Sequence, residues 1–332
     1  MAQRIADPPI DDGAHASAPC SHSREGLGGM DVGRLGAAVR DAAPPAVLSL
    51  AKHAVRGAGL LTSSARILPD YLIAGTKKGG TTSLANWLVQ HPGVLRMFPR
   101  AQRYKSAHYF DCNFDDSVAW YRSHFPTRLY RSRVERRLGY LPLVGEASPY
   151  YMFHPAAPDR VKSLLPEAKV IMLLREPVSR AYSHYWDRVS TGFEDAPSFE
   201  EAIEAEAGRL ADADDSRFAD PSYAHPSHEH HSYLARSRYA EQLVRWTPLF
   251  DPEHLLVLEF ERMKTEPDVL LGEVLDFLGL PPCSSIDLRA RNERKQQPPL
   301  SASTRESLRD YFRPYNRQLA ELTGREFSWT RD

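Results

Sequence analysis

Asp70-Tyr71-Leu72-Ile73-Ala74-Gly75-Thr76-Lys77-Lys78-Gly79-Gly80-Thr81-Thr82-Ser83 holds the turn on which the fold reading depends. Its first six residues form a short apolar run ending in glycine, the pattern of a buried strand entering a turn. From Ser83 to Val89 the apolar residues fall at helical spacing, so the local order is strand, glycine-rich loop, helix. A helix start leaves backbone N–H groups without intrahelical partners, and glycines let backbone approach a ligand closely. Such a nest suits phosphate. Lys77 and Lys78 bring positive charge to it, and Thr81, Thr82 and Ser83 bring hydroxyl donors. Gly75 and Gly80 satisfy the glycine spacing of the triphosphate-binding motif GxxxxGK[ST], but Thr81 follows Gly80 where that motif has lysine. The lysines stand before Gly79-Gly80, along the side of the loop. A P-loop kinase using ATP and magnesium is therefore only the alternative reading.

A second unit of the same kind follows. Ala168 to Leu174 is a largely apolar strand, and it runs into Arg175-Glu176-Pro177-Val178-Ser179-Arg180-Ala181-Tyr182-Ser183. Pro177 suits the first turn of a helix, and Ser179, Arg180 and Ser183 lie at spacings that share one helix face. Arg175 at the strand end and Ser183 two turns later can donate to one phosphate.

The whole-chain numbers set the limits. A length of 332 residues allows one large domain or two ordinary ones. Lys and Arg total 42 against 43 Asp and Glu, so no global charge draws the chain to nucleic acid or to an anionic membrane. Composition excludes a fibrous, collagen-like or wholly disordered chain. Cys20, Cys112 and Cys283 are far apart and form no CxxC pair, which excludes a disulfide framework and a four-cysteine metal site. The first thirty residues lack the apolar core of a secretion signal. Isolated thiols and the missing signal together give the expectation of a cytoplasmic protein.

Residues 1–40 read as a disordered leader, poor in aromatic and β-branched residues. Residues 41–67 read as a linker or amphipathic helix, and 68–330 as the folded domain that holds both phosphate-binding units. Within the linker, Lys52, His53 and Arg56 interrupt residues 46–61, so this stretch cannot span a bilayer. Val47, Leu48, Ala51, Ala54 and Val55 form a partial apolar stripe, which permits peripheral membrane contact.

The two phosphate-binding units, in this order and spacing, resemble the sulfotransferases that use 3′-phosphoadenosine 5′-phosphosulfate, in particular the heparan sulfate and related carbohydrate branch. The intervening chain carries the likeness further. It includes Lys105-Ser106-Ala107-His108-Tyr109-Phe110-Asp111, Trp120-Tyr121-Arg122, Gly145-Glu146-Ala147-Ser148-Pro149-Tyr150-Tyr151, Ser237-Arg238-Tyr239-Ala240 and Tyr311-Phe312-Arg313-Pro314-Tyr315-Asn316. The resemblance implies a single α/β domain, P-loop-kinase-like, with a central parallel sheet flanked by helices. It implies that Lys77, Lys78, Gly79, Gly80, Thr81, Thr82 and Ser83 hold the 5′-phosphosulfate and that Arg175 and Ser183 hold the 3′-phosphate. Arg294 and Lys295, in the basic stretch before Pro298-Pro299, match a loop that closes over the donor in relatives.

The chemistry expected of such a site is in-line attack by an acceptor hydroxyl or amine on sulfur, with adenosine 3′,5′-bisphosphate leaving. Lys78 matches the lysine that neutralises the leaving oxygen, with Lys77 as alternate, and the scheme calls for no metal. The glycosaminoglycan enzymes carry a glutamate two residues before the histidine of the His-aromatic-Phe segment, and Ser106 stands there instead. The base is then His108, whose ordinary pKa near 6.5 suits it, with Glu146 the second candidate. Relatives also place a lysine after that glutamate where this chain has Ala147. The two departures weigh against a heparan-type acceptor and leave a carbohydrate, glycolipid or small natural product.

Three features remain outside this reading. Residues 96–138 hold ten Lys and Arg against four Asp and Glu, a surface that attracts anions. Residues 192–230 are acidic and end in the histidine-rich run His225-Pro226-Ser227-His228-Glu229-His230-His231, expected as a mobile surface insert or a lid over the acceptor. Thr304 to Leu322 has the periodicity of a core helix that Pro314 is expected to kink or divide.

Overall fold

The computed structural model describes residues 54–99, 105–289 and 297–330. The expected leader, the first half of the 46–61 segment, Arg294 and Lys295 all lie outside them. Five strands, β1 (Tyr71–Ile73), β2 (Val94–Leu95), β3 (Leu143–Ala147), β4 (Lys169–Leu174) and β5 (Leu255–Glu259), form one sheet in the order β2-β3-β1-β4-β5. Every pairing is parallel, with Tyr71 opposite both Gly145 and Lys169. The named helices are, in chain order, α1 (Thr81–Leu88), α2 (Val118–Arg122), α3 (Arg128–Leu138), α4 (Ala157–Leu164), α5 (Pro177–Ser190), α6 (Phe199–Arg209), α7 (Pro226–His230), α8 (Tyr239–Leu243), α9 (Arg262–Thr265), α10 (Pro267–Leu278) and α11 (Ala302–Thr323).

The sheet is buried on both faces, which is why its central strands read as continuous apolar runs. Side chains alternate across a strand. Tyr71, Ile73, Ile171 and Leu173 therefore pack on one face with Leu84, Trp87 and Leu88 of α1 and Leu270, Leu271, Val274, Leu275 and Leu278 of α10. Leu72, Val170, Met172 and Leu174 pack on the other with Ala157 and Val161 of α4, Leu243 and Trp246, and the aromatic group Tyr109, Phe110, Tyr121 and Phe125. A third cluster joins α5, α6 and α11 through Val178, Ala181, Tyr185, Phe199, Leu308 and Phe312. The entry to β1 is pinned by Asp70, whose carboxylate accepts from Arg131 and from the Val144 N–H, both at 2.8 Å.

Two expectations change. α11 runs undivided through Pro314. Leu308, Phe312 and Leu319, on both sides of the proline, are buried, and their packing keeps the helix continuous despite the lost backbone donor. The acidic, histidine-rich region is not a loose insert. It forms α6 and α7, and His228 is buried, stacked on Phe153 at 4.3 Å and bonded through Nδ1 to the Tyr150 hydroxyl at 2.8 Å. Composition showed its polarity but not the aromatic wall against which it folds. Residues 54–61 are helical, and Arg56 turns toward the protein, donating to Phe98 O and Ser123 Oγ at 3.2 Å each.

Candidate active site

β1 and β4 are neighbours, so the loops leaving their carboxyl ends lie side by side, the crevice where open α/β sheets bind ligands. The β1–α1 loop crosses directly over β4. Thr76 N–H donates to Leu173 O at 3.0 Å, and a Cβ on Gly75 would sit 2.5 Å from Leu173 N. Only glycine permits that crossing. Gly80 is the N-cap of α1 in the left-handed region at φ 85° and supplies no side-chain cap, so the first-turn amides of Thr81, Thr82 and Ser83 are left open at the positive end of the helix. The Thr76 hydroxyl, 1 % exposed, has no hydrogen-bond partner. An uncapped helix start, a cradle that a Cβ would fill and an orphaned hydroxyl fit an anionic donor group.

The lysines flank this opening. Lys78 is held at φ 72°, an unusual backbone for a residue with a side chain, and its Nζ lies 3.2 Å from Asp187 Oδ1 on α5. Lys77 Nζ lies 3.8 Å from Asp187 Oδ2. Burial, with Arg236 and Arg188 nearby, pushes the Lys77 ammonium down to about 7, against the pull of Asp187 and Glu229. For Asp187 burial acts upward, yet Arg188, Lys78 and Lys77 outweigh it and hold the carboxyl at about 2.

The second expected cradle is joined to the first, because Arg175 Nη1 donates to Lys78 O at 3.1 Å. Its helix is built differently. Glu176 caps α5 by accepting from Val178 N and Ser179 N at 3.0 and 2.7 Å, so those first-turn amides are taken and a phosphate here relies on side chains. Arg175 is half-buried over the Phe260 ring, and Ser183 is buried on the inner face of α5. Arg180, placed by the sequence on the same face, is instead a framework residue. It is fully buried and bonded to Ser237 Oγ and Tyr233 O, because one helix face holds both inward and cleft-facing positions.

His108 lies on the segment that follows Lys105. Lys105 Nζ reaches the Thr82 hydroxyl at 3.0 Å and ties this segment to α1, a role that residue type alone does not reveal. His108 Nδ1 is 3.1 Å from Asp111 Oδ2, and Asp111, wholly buried in its side chain, also accepts from Ser148 Oγ at 2.7 Å and from the Cys112 N–H at 2.6 Å. Burial acts downward on the imidazole, but the Asp111 hydrogen bond and charge outweigh it and raise its pKa above the ordinary value. The carboxylate fixes Nδ1 as the protonated nitrogen and leaves Nε2 to accept a proton. The signal for Asp111 in the sequence is its three-residue spacing from His108.

Glu146 has a different setting. Oε1 accepts from Tyr121 and Tyr151 at 2.8 and 2.7 Å, and Oε2 accepts from the Ala107 N–H at 2.8 Å and Ser106 Oγ at 3.3 Å. Burial raises its pKa against these donors. Ser106 Oγ in turn accepts from the His108 N–H at 2.9 Å, so the serine links the carboxylate to the histidine backbone. Glu146→Gln brings an amide NH₂ against these donors, and we expect a loss of about 1–3 kcal/mol, read as a lower urea midpoint at unchanged m.

A sequence model of the Sulfotransferase domain matches residues 68–317. Heparan sulfate glucosamine 3-O-sulfotransferase 3A1 of Homo sapiens is 28 % identical over 344 residues, spanning 97 % of this chain and 74 % of that protein. The membrane-associated sulfotransferase kil1 of Dictyostelium discoideum is 26 % identical, spanning 79 % of this chain and 66 % of its own length. The crystal structure of a sulfotransferase from Alicyclobacillus acidocaldarius superposes with a TM-score of 0.56 at 26 % identity, covering 80 % of this chain and all of that one. The expected cytoplasmic location does not stand, since a relative of this extent is membrane-associated, and isolated thiols with a polar leader do not select a compartment. Among the described residues no helix is long and apolar enough to cross a membrane. The matched span opens just before β1 and closes inside α11, so it takes in the glycine loop, the histidine segment and the Arg175 turn together, and the chain belongs to the sulfotransferase family.

Proposed function

We propose that this enzyme moves a sulfuryl group from 3′-phosphoadenosine 5′-phosphosulfate to a hydroxyl, or an amine, of a carbohydrate. The observation that carries the reading is the uncapped start of α1 with two lysines at its side and the His108–Asp111 pair on the segment that Lys105 ties to that helix. The acceptor oxygen bonds to sulfur as the bond from sulfur to the bridging oxygen breaks, and the acceptor proton goes to His108 Nε2. Lys78 neutralises the charge growing on the bridging oxygen, with Lys77 beside it. The loop Gly79 to Ser83, through the open amides and the hydroxyls of Thr81, Thr82 and Ser83, holds the sulfate and 5′-phosphate, and Arg175, Ser183, Arg294 and Lys295 take the 3′-phosphate. Glu146, with its oxygens already occupied, supports the histidine segment. A carbohydrate acceptor is supported by the heparan sulfate enzymes among the relatives, including the bifunctional N-deacetylase/N-sulfotransferase 3 of Homo sapiens. Peripheral membrane contact through 46–61 is supported by the exposed Leu60 and Leu61 at its described end.

Thermal unfolding with adenosine 3′,5′-bisphosphate, and separately with ATP plus magnesium, tests the donor. A hundredfold excess over Kd adds about 2.7 kcal/mol, a rise of several degrees for a domain this large. We expect that rise with the bisphosphate; a rise with ATP and magnesium alone would overturn the reading.

A further inference from the structure

Asp187 has no part in the chemistry just described, yet it holds both loop lysines. It stands one turn beyond Ser183 on α5, and its side chain is 8 % exposed. Its two oxygens face Lys78 Nζ at 3.2 Å and Lys77 Nζ at 3.8 Å, and it also accepts from Arg188, whose Nη1 meets His230 Nδ1 of α7 at 3.2 Å. The carboxylate thus occupies the side of the loop on which a phosphosulfate would meet those ammonium groups. The folded framework around it is already stabilised by the buried faces of α5, so the two lysine contacts are additional to what packing requires.

We propose that Asp187 is a counter-ion latch: it neutralises and positions Lys77 and Lys78 before the donor arrives, and the donor's anionic groups displace it. The inference rests on the donor reading above. Two lysines in a half-buried pocket, with Arg188 and Arg236 near, repel one another, and a fixed carboxylate 3.2 Å from Lys78 Nζ and 3.8 Å from Lys77 Nζ offsets that repulsion and holds both ammonium groups in place. The same carboxylate competes with the incoming anion and repels it, so the latch lowers donor affinity while keeping the loop ready. A residue with a merely structural role has the opposite signature, since its loss loosens the loop and weakens binding.

The test measures binding of adenosine 3′,5′-bisphosphate by calorimetry at pH 6.5 to the full chain, to Asp187→Asn and to Asp187→Glu. We expect the asparagine variant to bind about fivefold to tenfold tighter, with KM for the donor lowered in the same proportion, and the glutamate variant to return toward the wild-type value. Equal or weaker binding by a folded Asp187→Asn protein overturns the latch. Should that variant fail to fold, Asp187→Ser is measured in its place and judged by the same two results. Absence of binding by the wild-type chain would instead overturn the donor reading on which the latch rests, and it is distinguished from failure of the latch because the comparison starts from wild type.

Discussion

Lys78→Ala is expected to lower kcat for sulfuryl transfer by about two to three orders of magnitude, the range seen when one aligned donor to a developing anion is removed. The Lys78 ammonium stands beside the open start of α1, where in the proposed reaction the leaving oxygen would gain charge, and Lys77 does not share its backbone geometry at φ 72°. Folding should survive. The side chain is half-buried and alanine gives up its contact with Asp187, but the backbone carbonyl that accepts from Arg175 is kept. The check is single-turnover transfer from labelled donor, with circular dichroism as the control for fold. Transfer at the wild-type rate would remove Lys78 from the chemistry and pass the role to Lys77.

His108→Ala should cost about two to four orders of magnitude in kcat with bisphosphate binding retained, because the loss falls on proton removal from the acceptor. The pH profile gives an independent reading. A base works when neutral, so the rate should rise with pH as His108 loses its proton. Asp111 favours the protonated imidazole, which places that rise above the ordinary value near 6.5. Asp111→Asn removes the charge and should move the acid limb to lower pH, as well as lowering the rate by freeing the ring. A limb unmoved by that substitution would exclude His108 as the titrating base.

Much of the fold could be read from pattern because parallel strands buried on both faces leave an unmistakable apolar record. The strand expected over Ala168 to Leu174 is β4, and the helix expected after Pro177 is α5. The glycine loop was legible for a comparable reason: only glycine tolerates the crossing at Leu173 and the left-handed cap at Gly80. Less could be read of the site's polar neighbours. Asp187, Asp111 and Lys105 are ordinary charged letters until folding brings α5 against the β1–α1 loop and the 105–111 segment against α1. Glu146 and His108 ranked as rival bases from residue type alone, and the partners around each separate them. The histidine-rich run misled in the other direction, since polar composition hid a helix packed on Phe153 and Tyr150.

By itself the sequence determined the strand–loop–helix units, the glycine-rich loop and the family, because these depend on local spacing and on residues with special backbone freedom. Tertiary structure alone decided which charges face one another: that α1 begins uncapped while Glu176 closes α5, that Asp111 orients His108, and that Asp187 meets both loop lysines. Electrostatic partnership is set by distance and burial, and neither is written in the order of residues along a chain.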